Sequence, residues 1–454
     1  MTYSPPTRRR RTRPAAGPQF DAVTFLTIYL VLLLAVPSGL RISALGSAGS
    51  PALLWALVGG LWWLAERLRA RRPVLWGVGT MPALALLFTL AVAVSYVLSV
   101  LRTTPALEGN TADMGLIRAA AWLSVLIVTS DGIDTWERFL VLLRRLALAG
   151  GLMGLLGLLQ FMTGQSLIGW ISIPGMSADD EFGVITRGSF TRASGTTSHP
   201  LEFAVVVTMA LPLAAALALH DRTRRAWARW APLGGITAAL AVSVSRSGVI
   251  GLGAALLVMA LGWPRRTQLL TLVGVAGVGL AVYLLVPGMG TTVLELFRGI
   301  GEDDSTQSRT GAYGLATWVA GHSIWFGRGL GTFVPAYMIF DNQMLLLLIE
   351  VGVVGLGTFL IMVVGGVHCA RSGRRHTTDA VGRDVGQALA AALVSATLLL
   401  LFFDGLSFPM VGGLIFVYLG AAGAYREMAP THPRGPQQDD GTTDEAEPSQ
   451  SPRR

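Results

Sequence analysis

The chain of 454 residues has no lysine, a single cysteine and little charge of either sign. All 35 basic residues are arginine, so no lysine-based catalysis is open to it. Cys369 alone excludes an internal disulfide and a cysteine metal cluster. Charged residues make up 14% of the chain, against about 25% in a soluble domain. What fills their place is apolar: 52% of residues are hydrophobic, gathered in stretches of about 17–25 residues, the length a bilayer-crossing helix needs.

This patterning predicts an all-α polytopic membrane protein of about twelve transmembrane helices. They fall near 20–36, 51–65, 81–101, 114–130, 145–162, 200–219, 231–245, 248–263, 268–287, 343–367, 387–403 and 408–425. The first run has no small-residue cleavage site behind it and reads as a span, not a cleaved signal peptide. The spans make one domain over 20–428, between a basic tail at 1–19 and a polar, Pro-rich tail at 429–454. Both tails have the composition of disordered segments.

The formal net charge of +8 would point a soluble domain towards nucleic acid. Here the arginines are loop residues, and they divide unevenly. Counted over alternate connections, 26 fall on the side of the termini and eight on the other, with Arg118 inside a span. The positive-inside rule then predicts cytoplasmic termini in a plasma membrane protein, with two long external loops at about 163–199 and 288–342.

Arginine is unexpected on the outer side, so the eight there carry the interest. Arg187 and Arg192 lie five apart in "ITRGSFTRASGTTSHPLEF", where plain solvated loop arginines are the simpler alternative. Arg246 interrupts a long apolar run in "SVSRSG", flanked by serines that could add donors. Arg309 follows Glu302, Asp303 and Asp304 and could pair with them. Asp341 and Asn342 open a span, where Asp341 could serve as helix cap. His199 precedes Pro200 at a helix start and reads as a structural contact before a base. His322 sits in an amphipathic piece with Trp318 and Trp325, suited to the membrane interface.

Several guanidiniums with one carboxylate suit a diphosphate and a base. Arginine grips phosphate oxygens through paired donors, and a carboxylate can take a proton from a hydroxyl. No HExxH, external DxD or paired cysteines are present, so no metal is expected. "GVIGLG" after Ser247 imitates half a dinucleotide fingerprint, but it lies within a span with no strand before it.

Four stretches resemble the O-antigen ligase and polymerase superfamily of bacterial envelope glycosyltransferases. They are "RASGTTSHPLEFA", "SVSRSGVIGL", "SRTGAYGLATWVAGHSIWFGRGLGTF" and "DNQMLLLLIEVGVVGLGTFL", in the family's order, over roughly 185–365. The resemblance implies a metal-independent, GT-C-like enzyme without cofactor on the outer face of the plasma membrane. It would move a glycan from an undecaprenyl-diphosphate carrier to a hydroxyl of a glycan or glycolipid acceptor. Arg192, Arg246 and Arg309 would hold the diphosphate, with Asp341 as base. Asp341 stands where ligases of that family carry histidine, and Phe326 where they carry proline. Two other classes remain open. A transporter or flippase of lipid-linked sugars or anionic solutes would use in-span charges such as Arg118 and Glu350. A partner-binding membrane subunit would leave Arg246 unexplained.

Overall fold

The computed structural model describes residues 20–69, 79–102, 106–178, 185–187, 190–243, 245–286, 323–335, 337–338 and 340–429. It is mostly helical. In chain order the helices are α1 (Ala22–Leu34), α2 (Pro51–Arg69), α3 (Thr80–Val100), α4 (Ala106–Asp131), α5 (Trp136–Thr163), α6 (Pro200–His220) and α7 (Ala226–Val242). There follow α8 (Arg246–Ala260), α9 (Arg265–Leu285), α10 (Gln343–Glu350), α11 (Gly352–His376), α12 (Ala380–Leu399) and α13 (Pro409–Met428).

Helix therefore lies over each predicted apolar stretch, and six helices (α3, α4, α5, α6, α9 and α11) are long and apolar enough to cross a membrane. Several bounds differ from the expectation. α4 and α5 start about nine residues early. α1 has only 13 residues, about 20 Å at 1.5 Å per residue. It stops two residues short of Pro37, whose ring cannot continue a helix.

The predicted span 343–367 is two helices, not one. The break is at Gly352, whose φ of 67° is left-handed. A Cβ there would sit 2.4 Å from the Trp325 carbonyl carbon, so only glycine fits. The segment 323–333 clasps this break. Val353 and Val354 donate backbone N–H groups to the carbonyls of Ile324 and Trp325, at 2.8 and 3.1 Å. In return Arg328 and Gly329 donate to the Glu350 carbonyl, at 3.0 and 2.7 Å. This is the physical role of the closing glycine-rich stretch.

Two small antiparallel sheets depart from the all-helical expectation, both inside long connections. β1 (Leu40–Ile42) pairs with β2 (Met176–Ala178), and β3 (Thr186–Arg187) pairs with β4 (Phe190–Thr191).

α6 and α13 form the buried centre, with most of their residues inaccessible. α5 and α7 approach through small residues: a Cβ on Gly154 would lie 2.6 Å from the Gly235 carbonyl oxygen. Close backbone contact of this kind is how helices pack where no water drives them together. α9 stands apart, with no buried residue.

The antiparallel order gives the bundle two ends. Connections 132–135, 221–225, 261–264 and 377–379 mark a short-loop end. Connections 35–50 and 400–408, with the described parts of 164–199 and 286–342, gather at a long-loop end.

Candidate functional site

The long-loop end is assembled around one turn, 400–409, between α12 and α13. Gln343, the first residue of α10, fixes it from both sides. Its backbone N–H donates to the Leu400 carbonyl at 2.8 Å, and its Oε1 accepts from the Leu406 N–H at 2.7 Å. This docking brings the start of α10, with Asp341, beside Asp404. Burial and the neighbouring Asp341 charge push Asp404 up to about 6.

Asn342, not Asp341, caps α10. Its Oδ1 accepts from the N–H groups of Met344 and Leu345, at 2.9 and 3.2 Å. The cap role considered for Asp341 thus belongs to its neighbour, and the Asp341 carboxylate is half-buried outside the helix.

On another side of the turn stands His199, its ring 5.9 Å from that of Phe408. It caps α6, its Nδ1 accepting from the Leu201 N–H at 3.2 Å. Burial, together with the Arg192 charge, draws its pKa down to about 4. A neutral ring with Nδ1 already accepting is a structural contact at neutral pH. Arg192 itself is half-buried just past β4, its backbone N–H on the Ile185 carbonyl at 2.8 Å.

Two buried carboxylates hold these segments together. Glu202 is fully buried and accepts from four donors: the Met410 and Ser198 N–H groups at 3.0 and 3.1 Å, and the Ser198 and Ser38 hydroxyls at 3.3 Å. One side chain therefore ties the connection after α1, the start of α6 and the start of α13. Glu350 accepts from the Phe333 N–H at 3.4 Å and faces the Arg118 charge.

Beneath the turn lies a cavity of about 60 Å³ between α1, α2 and α4. Arg41 of β1 and Arg118 of α4 line it, with Ser47, Ser50, Ser407 and the Trp122 ring. Arg118 feels the charges of both Arg41 and Glu350. β1 reaches this position because its register sets Arg41 against Ser177 of β2.

Of the residues expected from sequence, His199, Asp341 and Asn342 stand at this turn, and Arg192 bears on His199. Arg246 is the first residue of α8, at the same end, and is not among the charges that bear on His199 or Asp404. The serines beside it are structural, not spare donors. Ser245 caps α8, its Oγ accepting from the Gly248 N–H at 3.2 Å and lying 3.1 Å from the Ser247 hydroxyl. Arg187 stands opposite Phe190 in the β3–β4 pair. Arg309 and His322 lie outside the described residues.

Sequence reasoning missed Glu202, Gln343 and Asp404, met Arg41 only as one of the eight outer arginines, and met Arg118 only as a charge within a span. A lone arginine inside an apolar stretch is itself the signal that could have flagged Arg118. No family model and no curated protein matches the chain.

Asp341 and Asp404 put two carboxyl groups at this partly exposed turn, able to accept a proton, and His199 beside it feels the Arg192 charge.

Proposed function

We propose that this protein is a multi-pass glycosyltransferase of the O-antigen ligase and polymerase type, working without metal or cofactor. It transfers a glycan from an undecaprenyl-diphosphate carrier to a hydroxyl of a glycan or glycolipid acceptor, in cell-envelope polysaccharide assembly. In this reading the bundle is GT-C-like, about twelve helical segments span the plasma membrane, both termini are cytoplasmic, and the long-loop end is external. One observation carries it: His199, which feels the Arg192 charge, stands against Phe408 of the same 400–409 turn that sets Asp404 beside Asp341. The four motif stretches and the scarcity of arginine at this end support it further.

The acceptor oxygen bonds to the anomeric carbon as the bond from that carbon to the diphosphate oxygen breaks. The electron pair leaves with the diphosphate, and Arg192 and Arg246, joined by Arg187 and Arg309, stabilise the growing charge. The acceptor hydroxyl proton passes to Asp341. Asp404, raised to about 6 by burial and by the Asp341 charge, is the neighbouring carboxyl.

The test is glycan transfer in proteoliposomes, with a native undecaprenyl-diphosphate-linked donor pool and no added metal. Transfer by the wild type, lost in folded Arg246→Ala and Asp341→Asn variants, supports the assignment. If only Arg246→Ala abolishes transfer, the carrier site stands and Asp341 is not the base. A second reading, a transporter or flippase of lipid-linked sugars or anionic solutes, is favoured by the Arg118–Glu350 charges inside the bundle. Movement of labelled lipid-linked sugar across the bilayer, without transfer, would select it.

A further inference from the structure

The cavity beneath the 400–409 turn has no part in the transfer scheme above. Its walls are unusual for a space between apolar helices. Two guanidiniums, Arg41 and Arg118, face it with the hydroxyl-bearing Ser47, Ser50 and Ser407, and among the described residues no acidic one lines it. The floor is apolar, with the Trp122 ring on one side. Arg118 is twelve residues into α4, well inside the helix bundle. An arginine within a membrane-spanning helix is costly, and is retained where it meets a partner or a ligand. Glu350 offsets part of that charge. Yet the Glu350 carboxylate also accepts backbone N–H groups from the 331–333 segment, so its oxygens are shared. Arg41 adds a second positive charge facing the same cavity.

We infer that this cavity is an oxyanion site for a phosphate group, held between Arg41 and Arg118 with serine hydroxyls as further donors. Guanidinium groups bind phosphate by paired, charge-assisted hydrogen bonds, and serine hydroxyls can donate to the remaining oxygens. A cavity of about 60 Å³ has room for several water-sized groups. The phosphate can be inorganic or the headgroup of an anionic lipid, since the apolar floor accepts an acyl-bearing neighbour as readily as none. The assignment is independent of the glycosyl-transfer reading.

The experiment uses the full chain in two settings. In uncharged detergent, labelled inorganic phosphate is titrated by equilibrium dialysis. In nanodiscs of phosphatidylcholine with or without phosphatidylglycerol, lipid retained through delipidation is counted by native mass spectrometry. Wild type should bind one phosphate saturably, or retain one phosphatidylglycerol, and which of these occurs identifies the source. Arg41→Gln and Arg118→Gln should each weaken binding by about tenfold or more, and Ser407→Ala by less. Arg69→Gln, exposed at the opposite end, should bind as wild type does. Absence of binding in both settings overturns the site, as does a folded Arg41→Gln that binds like wild type. Should Arg118→Gln fail to fold, Arg41→Gln and Ser407→Ala decide the question alone.

Discussion

The two ends of the bundle use the same basic residue in opposite ways. At the short-loop end, arginines are joined to acids from other helices. Arg67 bonds Asp131 at 2.9 Å, Arg138 bonds Asp21 at 2.5 Å, and Arg144 bonds Asp221 at 2.7 Å. These pairs link α2 to α4, α1 to α5, and α5 to the end of α6. At the long-loop end the buried acids Glu202 and Glu350 are met by backbone N–H and hydroxyl donors instead. Glu108, which accepts from Arg328 at 3.3 Å and from the Tyr337 hydroxyl at 2.7 Å, is the exception. Charge at one end is spent on joining helices. At the other, backbone and hydroxyl donors hold Glu202 and Glu350 in place, and Arg41 and Arg118 line a cavity.

The comparison breaks most sharply at Glu202. Replacing it by leucine leaves four donors without their shared acceptor, and each buried orphan costs about 1–3 kcal/mol. Glu202→Leu should therefore lower stability by about 3 kcal/mol or more, seen as a large drop in unfolding temperature in detergent. Gly352→Ala comes next. It forces a side chain into a left-handed φ and against the Trp325 carbonyl, at a cost of about 1–3 kcal/mol. Gly357→Ala, in the same helix with open space at its Cβ, should be neutral or slightly stabilising. Equal effects of the two alanines would show that the clasp on the helix break carries no strain.

Arg144→Gln probes the short-loop end. Burial alone would raise the Asp221 carboxyl, but hydrogen bonds from Arg144 and Thr223 and the Arg144 charge outweigh it and hold it below its usual range. A depressed carboxylate stabilises the fold above its unfolded pKa, and that stabilisation is lost as pH falls through the folded value. Unfolding temperature in wild type should thus fall below about pH 4, and Arg144→Gln should fall less steeply while starting lower.

At neutral pH the smallest effect is expected at His199. Its folded pKa of about 4 lies below the unfolded value near 6.5. Its contribution is therefore whole above pH 6.5 and declines as pH falls towards 4, because only the unfolded chain takes up the proton. His199→Asn keeps a capping side chain and should flatten the pH dependence of unfolding between 4 and 6.5. An unchanged slope would mean that His199 titrates normally.

The helices were legible because apolar runs of bilayer length leave few other structures open to the chain. The arginine-rich loops marked one end from the other for the same reason: charge cannot sit in the runs. What stayed hidden depends on contacts between distant residues. Nothing near Arg41 announces that Leu40–Ile42 will pair with Met176–Ala178, yet that register is what carries Arg41 to the cavity. Asp341 and Asn342 are both good caps, and only the phase of α10 chooses between them. Gly352 looks like any glycine in an apolar stretch until the carbonyl of Trp325 is brought against it. Asp404 reads as an ordinary loop acid until Gln343 docks on its turn.

α9 follows from a different constraint. None of its 21 residues is buried, and α7 is its main neighbour. At 1.5 Å per residue it measures about 31 Å, close to the roughly 30 Å of a bilayer's hydrocarbon layer. Where the central helices must match one another's shapes, this one meets little of the described protein beyond α7. Its spelling is free to drift among apolar residues so long as its length holds. Across related chains, α9 would therefore record the thickness of the host membrane, not the history of the fold.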